Sequence, residues 1–501
     1  MTLPAERIER VEAWGMTTGG ACYVYRPSTL EGVREAIKEA RRERRSIALK
    51  GGGNSYGDAF LNREQVVLDL SRMKRILSWD PNTGVICCEP GVTIEEVWRY
   101  AIEDGWWLPV VSGTARVTLG GALAANIHGK NNRKAGPIGE HVKEFTLLTA
   151  DGEERTIVPL EDPDLFYAVI GGFGALGVIT SVTMQLKRVH SGLLDVEAHV
   201  ARNWAEALDK VAHLADAWDY AVGWIDGFAS GANSGRGILH SARYLDEGED
   251  PHPEETLRVE AQQIPDSAFG IPKRVLPRLM RPFTRPLGMR LINAMKFRAG
   301  RREAGHRFRQ SLVAFNFLLD SIPNWKHAYR PAGLVQYQIF APLDAAQQVF
   351  SEATRAAKEQ GFPPFLCVLK RHRPDGFLLS HAVDGFSLAM DFRVHSWRWE
   401  AFRRLADEMT ELTLSAGGRF YLAKDSVLRR GQFRQAVGAE ALERFLALKA
   451  SVDPEGLFWS EMWRRVVGEW TPLSPSAEPR ADEREARETG ADAEDIPKPF
   501  W

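Results

Sequence analysis

The run PVVSGTARVTLGGALAANIHGKNNRKAGPIGEH, residues 109–141, decides how the rest of the chain is read. Gly113, Gly120, Gly121 and Gly129 supply backbone with no Cβ, which lets the main chain approach a large ligand closely. Ser112, Thr114, Thr118 and Asn126 place short hydrogen-bonding groups beside them, and His128 and Lys130 add a titratable ring and a cation. Taken alone, the run fits equally a backbone approach to a large ligand and plain scaffold, a tight loop and a small-residue helix packed on a sheet.

Two further glycine loops shift that balance. Upstream lies KGGGNSYGD, with Gly51, Gly52, Gly53, Asn54, Ser55 and Tyr56; downstream lies GGFGALGVIT, with Gly174, Gly177, Val178 and Ile179. The first can turn successive backbone N–H groups toward a pyrophosphate, where a Cβ would block the approach. Three such loops imply one long, phosphate-bearing cofactor. Gly172-x-Gly174-x-x-Gly177 matches the dinucleotide fingerprint by letter, but that fingerprint needs a strand before it and a helix after it. Here DPDLFYAVI before it reads as a helix and GVITSVTMQL after it as a strand, which argues against a nicotinamide-binding Rossmann unit.

Around these loops the pattern is α+β scaffold. Ser28 to Glu31 matches a capping box opening a helix with Val33, Ile37 and Ala40 on one face, and Thr93 to Glu96 opens a second helix that Gly105 can close. Asp151-Gly152 marks a hairpin. Glycine density falls after Lys187, placing a boundary near residue 190. Beyond it, GLVQYQIFAP and FSLAMDFRV alternate apolar with small or polar residues, and FLCVLKRH ends in Lys370 and His372. Such a sheet face can be a pocket floor or a solvated surface, and periodicity alone favours the solvated surface.

Bulk properties bound the class. The chain has 501 residues, 44% apolar content and a formal net charge of −2, which fits two or three well-buried domains and predicts no nucleic-acid partner. Four cysteines, Cys22, Cys87, Cys88 and Cys367, have no metal spacing and read as buried thiols in a reducing compartment; no metal site is expected. No run approaches the ~18 apolar residues that span a bilayer, so a cytoplasmic location is expected. Between Pro272 and Arg309 stand twelve Lys or Arg and one acid, Glu303, interleaved with apolar residues. That stretch suits an anionic membrane surface, a lipid phosphate, or a solvated face, and its prolines argue for a flap in its first half. From about Glu469 the acidic, proline-bearing composition reads as a disordered tail.

KGGGNSYGD, SGTARVTLGGALAANIHGKN and GGFGALGVIT together resemble the three cofactor loops of the flavin oxidoreductases related to vanillyl-alcohol oxidase. Within that group NIHGKN, LLTADGE, GLVQYQ and GGRFYLAKDS are most similar to the decaprenylphosphoryl-β-D-ribose oxidases, the oxidising half of a sugar 2′-epimerase. The resemblance covers roughly residues 14–468. It implies a two-lobed PCMH-type FAD-binding domain over 1–190, an antiparallel-sheet substrate domain with helices over 191–416, and a segment over 417–468 returning to the flavin domain, before the tail at 469–501. FAD would be held by the glycine loops named above, from Gly51 to Tyr56, from Gly113 to Gly129 and from Gly174 to Ile179, with His128, Tyr421 and Lys424. Covalent members of the group carry a tethering histidine where this chain has Asn54, so the FAD is expected to be noncovalent.

The same resemblance places Lys130, Trp224, Asn316, Gln336, Lys370 and Ser387 on the substrate, with Lys424, His128 and Tyr56 as catalytic candidates. Lys424 leads, because a lysine desolvated beside a ring can have a lowered pKa and act as base or orienter. Two positions depart from the group: a pocket cysteine corresponds to Ala389 and a pocket tyrosine to Asn316. The implied reaction is oxidation of the 2′-hydroxyl of a polyprenylphosphoryl pentose, with a separate NAD(P)-dependent ketoreductase completing an epimerisation; peripheral contact with the inner membrane face through 272–309 is the expectation from composition alone, level with a solvated face. The alternatives are an aldonolactone or alditol oxidase and a non-catalytic flavin-binding scaffold.

Overall fold

The computed structural model describes residues 3–264, 267–268, 271–273 and 275–470, so the tail from 471 onward lies outside the described residues. Three sheets carry the architecture, which is α+β.

In the first lobe Gly19–Tyr25 and Ile47–Lys50 run parallel to the central strand Val66–Asp69, and Ile8–Glu12 adds antiparallel at the edge. Val66, Val67 and Leu68 are fully buried, as a parallel strand covered on both faces requires. The covering helix Leu30–Arg42 buries Val33, Ala36, Ile37 and Ala40, one helical face. Its cap is Thr29, which accepts from the Gly32 N–H at 3.2 Å, and this corrects the expected box from Ser28 to Glu31. With Thr29 in the extended cap position, Glu31 falls at the second helical residue, too early to reach back.

The second lobe is a five-stranded antiparallel sheet in the order Ile76–Asp80, Val85–Cys88, Val178–Gln185, Val142–Leu148, Glu154–Ile157. Here the Thr93–Glu96 capping box forms as expected on helix Ile94–Ala101. The helix Pro163–Val169 precedes the third glycine loop and the strand Val178–Gln185 follows it, the reverse of a dinucleotide-binding turn.

An eight-stranded sheet follows, ordered Arg307–Ser311, Leu193–Ala201, Gly237–Tyr244, Tyr220–Ile225, Leu366–His372, Gly385–Val394, Gly333–Pro342, Arg419–Phe420. Its Gly333–Pro342 and Gly385–Val394 strands are buried at nearly every position, which overturns the solvated face that alternation alone favours. Helices Ala346–Glu359 and Trp399–Ser415 cover the apolar side. Alternation therefore separates two buried environments, one apolar and one polar. A continuous apolar core links this sheet to the five-stranded lobe.

After Phe420 the chain reaches back to the first lobe. Tyr56 N–H donates to the Ala423 carbonyl at 3.0 Å, Ile47 N–H donates to Leu457 O, and Trp459 N–H donates to Ile47 O. The helix Glu461–Val466 then brings Arg465 onto Asp58 at 2.7 Å and Asp425 at 2.7 Å. In the basic stretch, Pro277 and Pro286 sit in the first turns of helices Leu276–Met280 and Pro286–Glu303, where a missing N–H costs nothing. As the prolines lead one to expect, no single helix runs through the stretch: Leu276–Met280 ends before Pro282, and Pro286 begins the next. The four cysteines are free thiols; Cys87 is only half-buried.

Candidate active site

The two lobes and the polar face of the eight-stranded sheet enclose a cavity of about 520 Å³, lined by residues of all three glycine loops. That is within the range of cofactor and substrate sites. Gly51, Gly52, Gly53, Asn54, Ser55, Tyr56, Gly113, Thr114, Thr118, Gly120, Gly121, Gly174, Gly177 and Ile179 line the cofactor-loop side, with His128, Tyr421 and Lys424. Lys130, Trp224, Asn316, Gln336, Lys370 and Ser387 line it as well. Ala389, where the resemblance expects a cysteine, is on the same wall.

Asn126, Gly129 and Val178 are not brought to the cavity. Strand alternation explains Val178: Ile179 faces inward, so its neighbour points into the first lobe's core at zero exposure. Asn126 is used locally, its side-chain oxygen accepting from the Gly139 N–H at 3.1 Å. Gly129 serves loop packing, since a Cβ there would lie 2.3 Å from Asn131 Oδ1.

Glycine is required in the cradle for specific reasons. A Cβ on Gly51 would lie 2.2 Å from Thr118 Oγ1, the atom that caps helix Leu119–Ala124, so the first and second loops can touch only without it. Gly174 has φ +74°, which side-chain-bearing residues rarely adopt. Asn54 Nδ2 donates to the Arg116 carbonyl at 3.1 Å, tying the same two loops. Asp320 fixes the Gly113 loop from the other side, accepting from Thr114 Oγ1 and the Ala115 N–H, both at 2.7 Å. Sequence reasoning passed over Asp320, which stands in the short 3-10 helix Leu318–Ser321 more than 200 residues away.

The cavity also carries lysines. Burial lowers Lys424 to about 8, opposed by the nearby Asp391 carboxylate; burial lowers Lys370 to about 7, helped by Lys424, and Lys130 to about 7, helped by Lys370. Lys424 Nζ lies 4.2 Å from the Tyr56 ring centroid, and Lys130 Nζ lies 4.5 Å from that of Phe315 while donating to the Phe315 carbonyl. Asp391 is fully buried directly opposite Gln336 in the sheet, accepts from Gln336 Nε2, and keeps its second oxygen unpartnered. Burial raises its carboxyl to about 7. The periodicity that marked Gln336 and Ser387 also marks Asp391, two strand positions from Ala389, yet as a lone acid among apolar residues it carried no signal.

His128, His372 and His381 form a buried group, with His128 ring centroids 4.8 Å from His372 and 5.3 Å from His381. Burial holds all three well below the usual histidine range, His381 at about 3, so they are neutral near pH 7. Lys370 Nζ contacts His128 Nδ1 at 3.4 Å, Gln338 contacts Nε2 at 3.1 Å, and His372 Nε2 pairs with Ser387 Oγ at 2.8 Å. A neutral imidazole is donor at one nitrogen and acceptor at the other, so these contacts fix the ring's orientation.

The residues fit FAD. A wall of glycine backbone suits a long phosphate-bearing ligand, and three lysines on the same cavity favour a ligand that brings negative charge.

Comparison with known proteins agrees. Residues 21–157 match the FAD binding domain family. The chain is 30% identical over 466 residues to decaprenylphosphoryl-β-D-ribose oxidase of Mycolicibacterium smegmatis, covering 91% of this chain and 97% of that one. It is 33% identical over 391 residues to an uncharacterized protein in the mprA 5′ region of Streptomyces coelicolor, covering 75% of this chain and all of that one. L-gulonolactone oxidase of Bos taurus is 27% identical over 177 residues, 35% of this chain and 40% of that one.

Proposed function

The chain belongs to the family of FAD-binding oxidoreductases that includes decaprenylphosphoryl-β-D-ribose oxidase, and from that premise we propose that it oxidises the 2′-hydroxyl of a polyprenylphosphoryl pentose to the 2′-keto sugar. The observation that carries this reading is the set of cations on the cavity: Lys130, Lys296, Lys370 and Lys424 all line it, together with Trp224, Gln336 and Ser387. A phosphorylated sugar gives those cations a counter-charge; a neutral aldonolactone does not.

Bound FAD supplies the two-electron acceptor. The chain's residues position the sugar and manage its proton. Gln336, held by Asp391 at 2.5 Å, and Ser387, held by His372, present fixed polar groups to substrate hydroxyls. Lys424 Nζ, desolvated over Tyr56, receives the hydroxyl proton as the neutral amine, and a pKa near 8 keeps that form accessible at physiological pH. His128 stays neutral and hydrogen-bonds the substrate side of the cavity. The FAD is held without a covalent tether: Asn54 stands where tethered relatives carry histidine, and its amide is engaged by Arg116. The keto product calls for a nicotinamide-dependent reductase to complete an epimerisation.

The test is anaerobic bleaching of the flavin band near ~450 nm, which belongs to the cofactor. Polyprenylphosphoryl ribose is expected to bleach it, while free alditols and aldonolactones are not. Bleaching by the soluble polyols alone would transfer the protein to the aldonolactone oxidases. Flavin that stays with the denatured chain would refute the noncovalent reading.

A further inference from the structure

Helix Pro286–Glu303 has two apolar faces, and only one of them is used. The inner face buries Asn293, Phe297 and Gly300 against the eight-stranded sheet: Phe297 packs on Trp224 and Ile238, and Asn293 donates to Asp226 at 3.1 Å. Through that face Lys296 reaches the cavity wall, its ammonium 4.6 Å from the Trp224 ring centroid. The outer face carries Leu287, Leu291 and Met295, spaced by four residues and so aligned along one side of the helix. They are exposed by 83%, 60% and 59%. Leu279 and Phe283 extend the exposed patch across the preceding turn.

Cations surround this stripe. From Leu276 to Glu303 there are eight Lys or Arg and one acid. Among the described residues, the only ion pair made by cations of the wider basic stretch is Arg307 with Glu197 at 3.0 Å. A contiguous apolar patch is uncommon on a monomer, and one rimmed by unneutralised Arg has the composition of a helix lying in a lipid headgroup layer. A second copy of this chain is disfavoured as the occupant, because face-to-face docking would bring two strongly cationic surfaces together. Nucleic acid would engage the cations and leave the leucines uncovered.

We infer that the outward face of helices Leu276–Met280 and Pro286–Glu303 docks on an anionic membrane surface, setting the Lys296–Trp224 side of the cavity at the headgroup layer. Leu287, Leu291 and Met295 enter the acyl boundary while Arg290, Arg298 and Arg301 engage lipid phosphates. This deepens the reading of the substrate as lipid-linked and rests on it for its purpose. Docking itself stands or falls separately.

Co-sedimentation of the FAD-loaded protein with phosphatidylglycerol–phosphatidylcholine vesicles, against pure phosphatidylcholine, tests it. The wild type is expected to bind the mixed vesicles at least tenfold more tightly than the neutral ones. L287E/L291E and, separately, R290E/R298E are expected to lose at least tenfold of that binding, with the ~450 nm flavin band and its bleaching by a short-chain, detergent-soluble polyprenylphosphoryl ribose unchanged. No preference for the anionic vesicles, or equal binding by both variants, overturns the inference. So does self-association in gel filtration that L287E/L291E abolishes, or duplex DNA binding without vesicle binding. Vesicle binding that persists while the lipid-linked sugar fails to bleach the flavin would leave docking intact and remove the substrate reading.

Discussion

The glycine loops present mainly backbone to the cavity, whereas its ionisable side chains come from the eight-stranded sheet at Lys370, the returning segment at Lys424 and the end of the second loop at Lys130. The loops are shaped by close approaches such as Gly51 on Thr118 and by φ values such as +74° at Gly174. The sheet is shaped by register, which sets Gln336 opposite Asp391 and brings Lys370 opposite Ser387. A backbone cradle tolerates little change, and its titratable groups, Tyr56 among them, stand beside the glycines rather than forming the cradle. A side-chain wall can be altered residue by residue, and its burial is what tunes its lysines. Binding is thus expected to be concentrated on one side and proton handling on the other.

The strongest test of that division is Lys424→Met. General acid–base groups contribute about 10²- to 10⁴-fold, so kcat should fall by about 10³ while flavin absorbance per protein stays constant. Because burial brings Lys424 from its ordinary 10.5 to about 8, wild-type kcat should rise as pH passes upward through 8, and the variant's profile should be flat there. Loss of flavin instead of rate would show that this wall also cradles the cofactor.

Arg465 joins the two walls, since Asp58 ends the first glycine loop and Asp425 follows Lys424. Arg465→Gln leaves two carboxylates facing each other; about 3 kcal/mol should be lost in denaturant unfolding, the low end for a broken buried pair because the group is partly exposed. Arg465→Lys should recover only part of it, having no bidentate fork. An unchanged stability would mean the walls are held independently.

Gly51→Ala places a methyl against Thr118 Oγ1 and should cost about 1–3 kcal/mol, read as weaker FAD binding with kcat of the loaded fraction retained. A kcat loss at full loading would blur the contrast between walls.

The smallest effect concerns His381. Its pKa falls from 6.5 unfolded to about 3 folded through burial, then through Arg419 and Lys370. Between those values the unfolded chain binds a proton that the folded chain does not, so stability drops as pH falls below 6.5, by up to ~1.4 kcal/mol per pH unit. His381→Phe should reduce that slope in unfolding curves measured from pH 7 to 5. His128 faces the His381 ring and His372 faces His128, and burial lowers both well below the usual histidine range, so the slope should shrink without vanishing.

What the sequence made legible follows the same contrast. A close backbone approach demands glycine, and glycine clusters are visible in one dimension, so the three loops and their order stood out. The Thr93–Glu96 cap was equally visible because its partners lie three residues apart. Side chains facing a cavity from a sheet leave only alternation, which cannot tell a polar pocket from solvent; Gln336, Lys370 and Ser387 needed the family resemblance. His381 and Asp320 had no local signal, since each matters only through partners far along the chain. Val178 faces the first lobe's core and not the cavity, because a motif names consecutive residues while a strand turns every second one away.

Arg465 and Asp58 are 407 positions apart. At roughly 5–20 residues per second, a ribosome needs about 20–80 s to travel from one to the other. The first glycine loop therefore leaves the exit tunnel long before its clamp exists, and the edge at Ile47 waits equally for Leu457 and Trp459. Clamping of the first glycine loop is thus among the late events of synthesis, and a chain released before helix Glu461–Val466 lacks the Arg465 pair with Asp58.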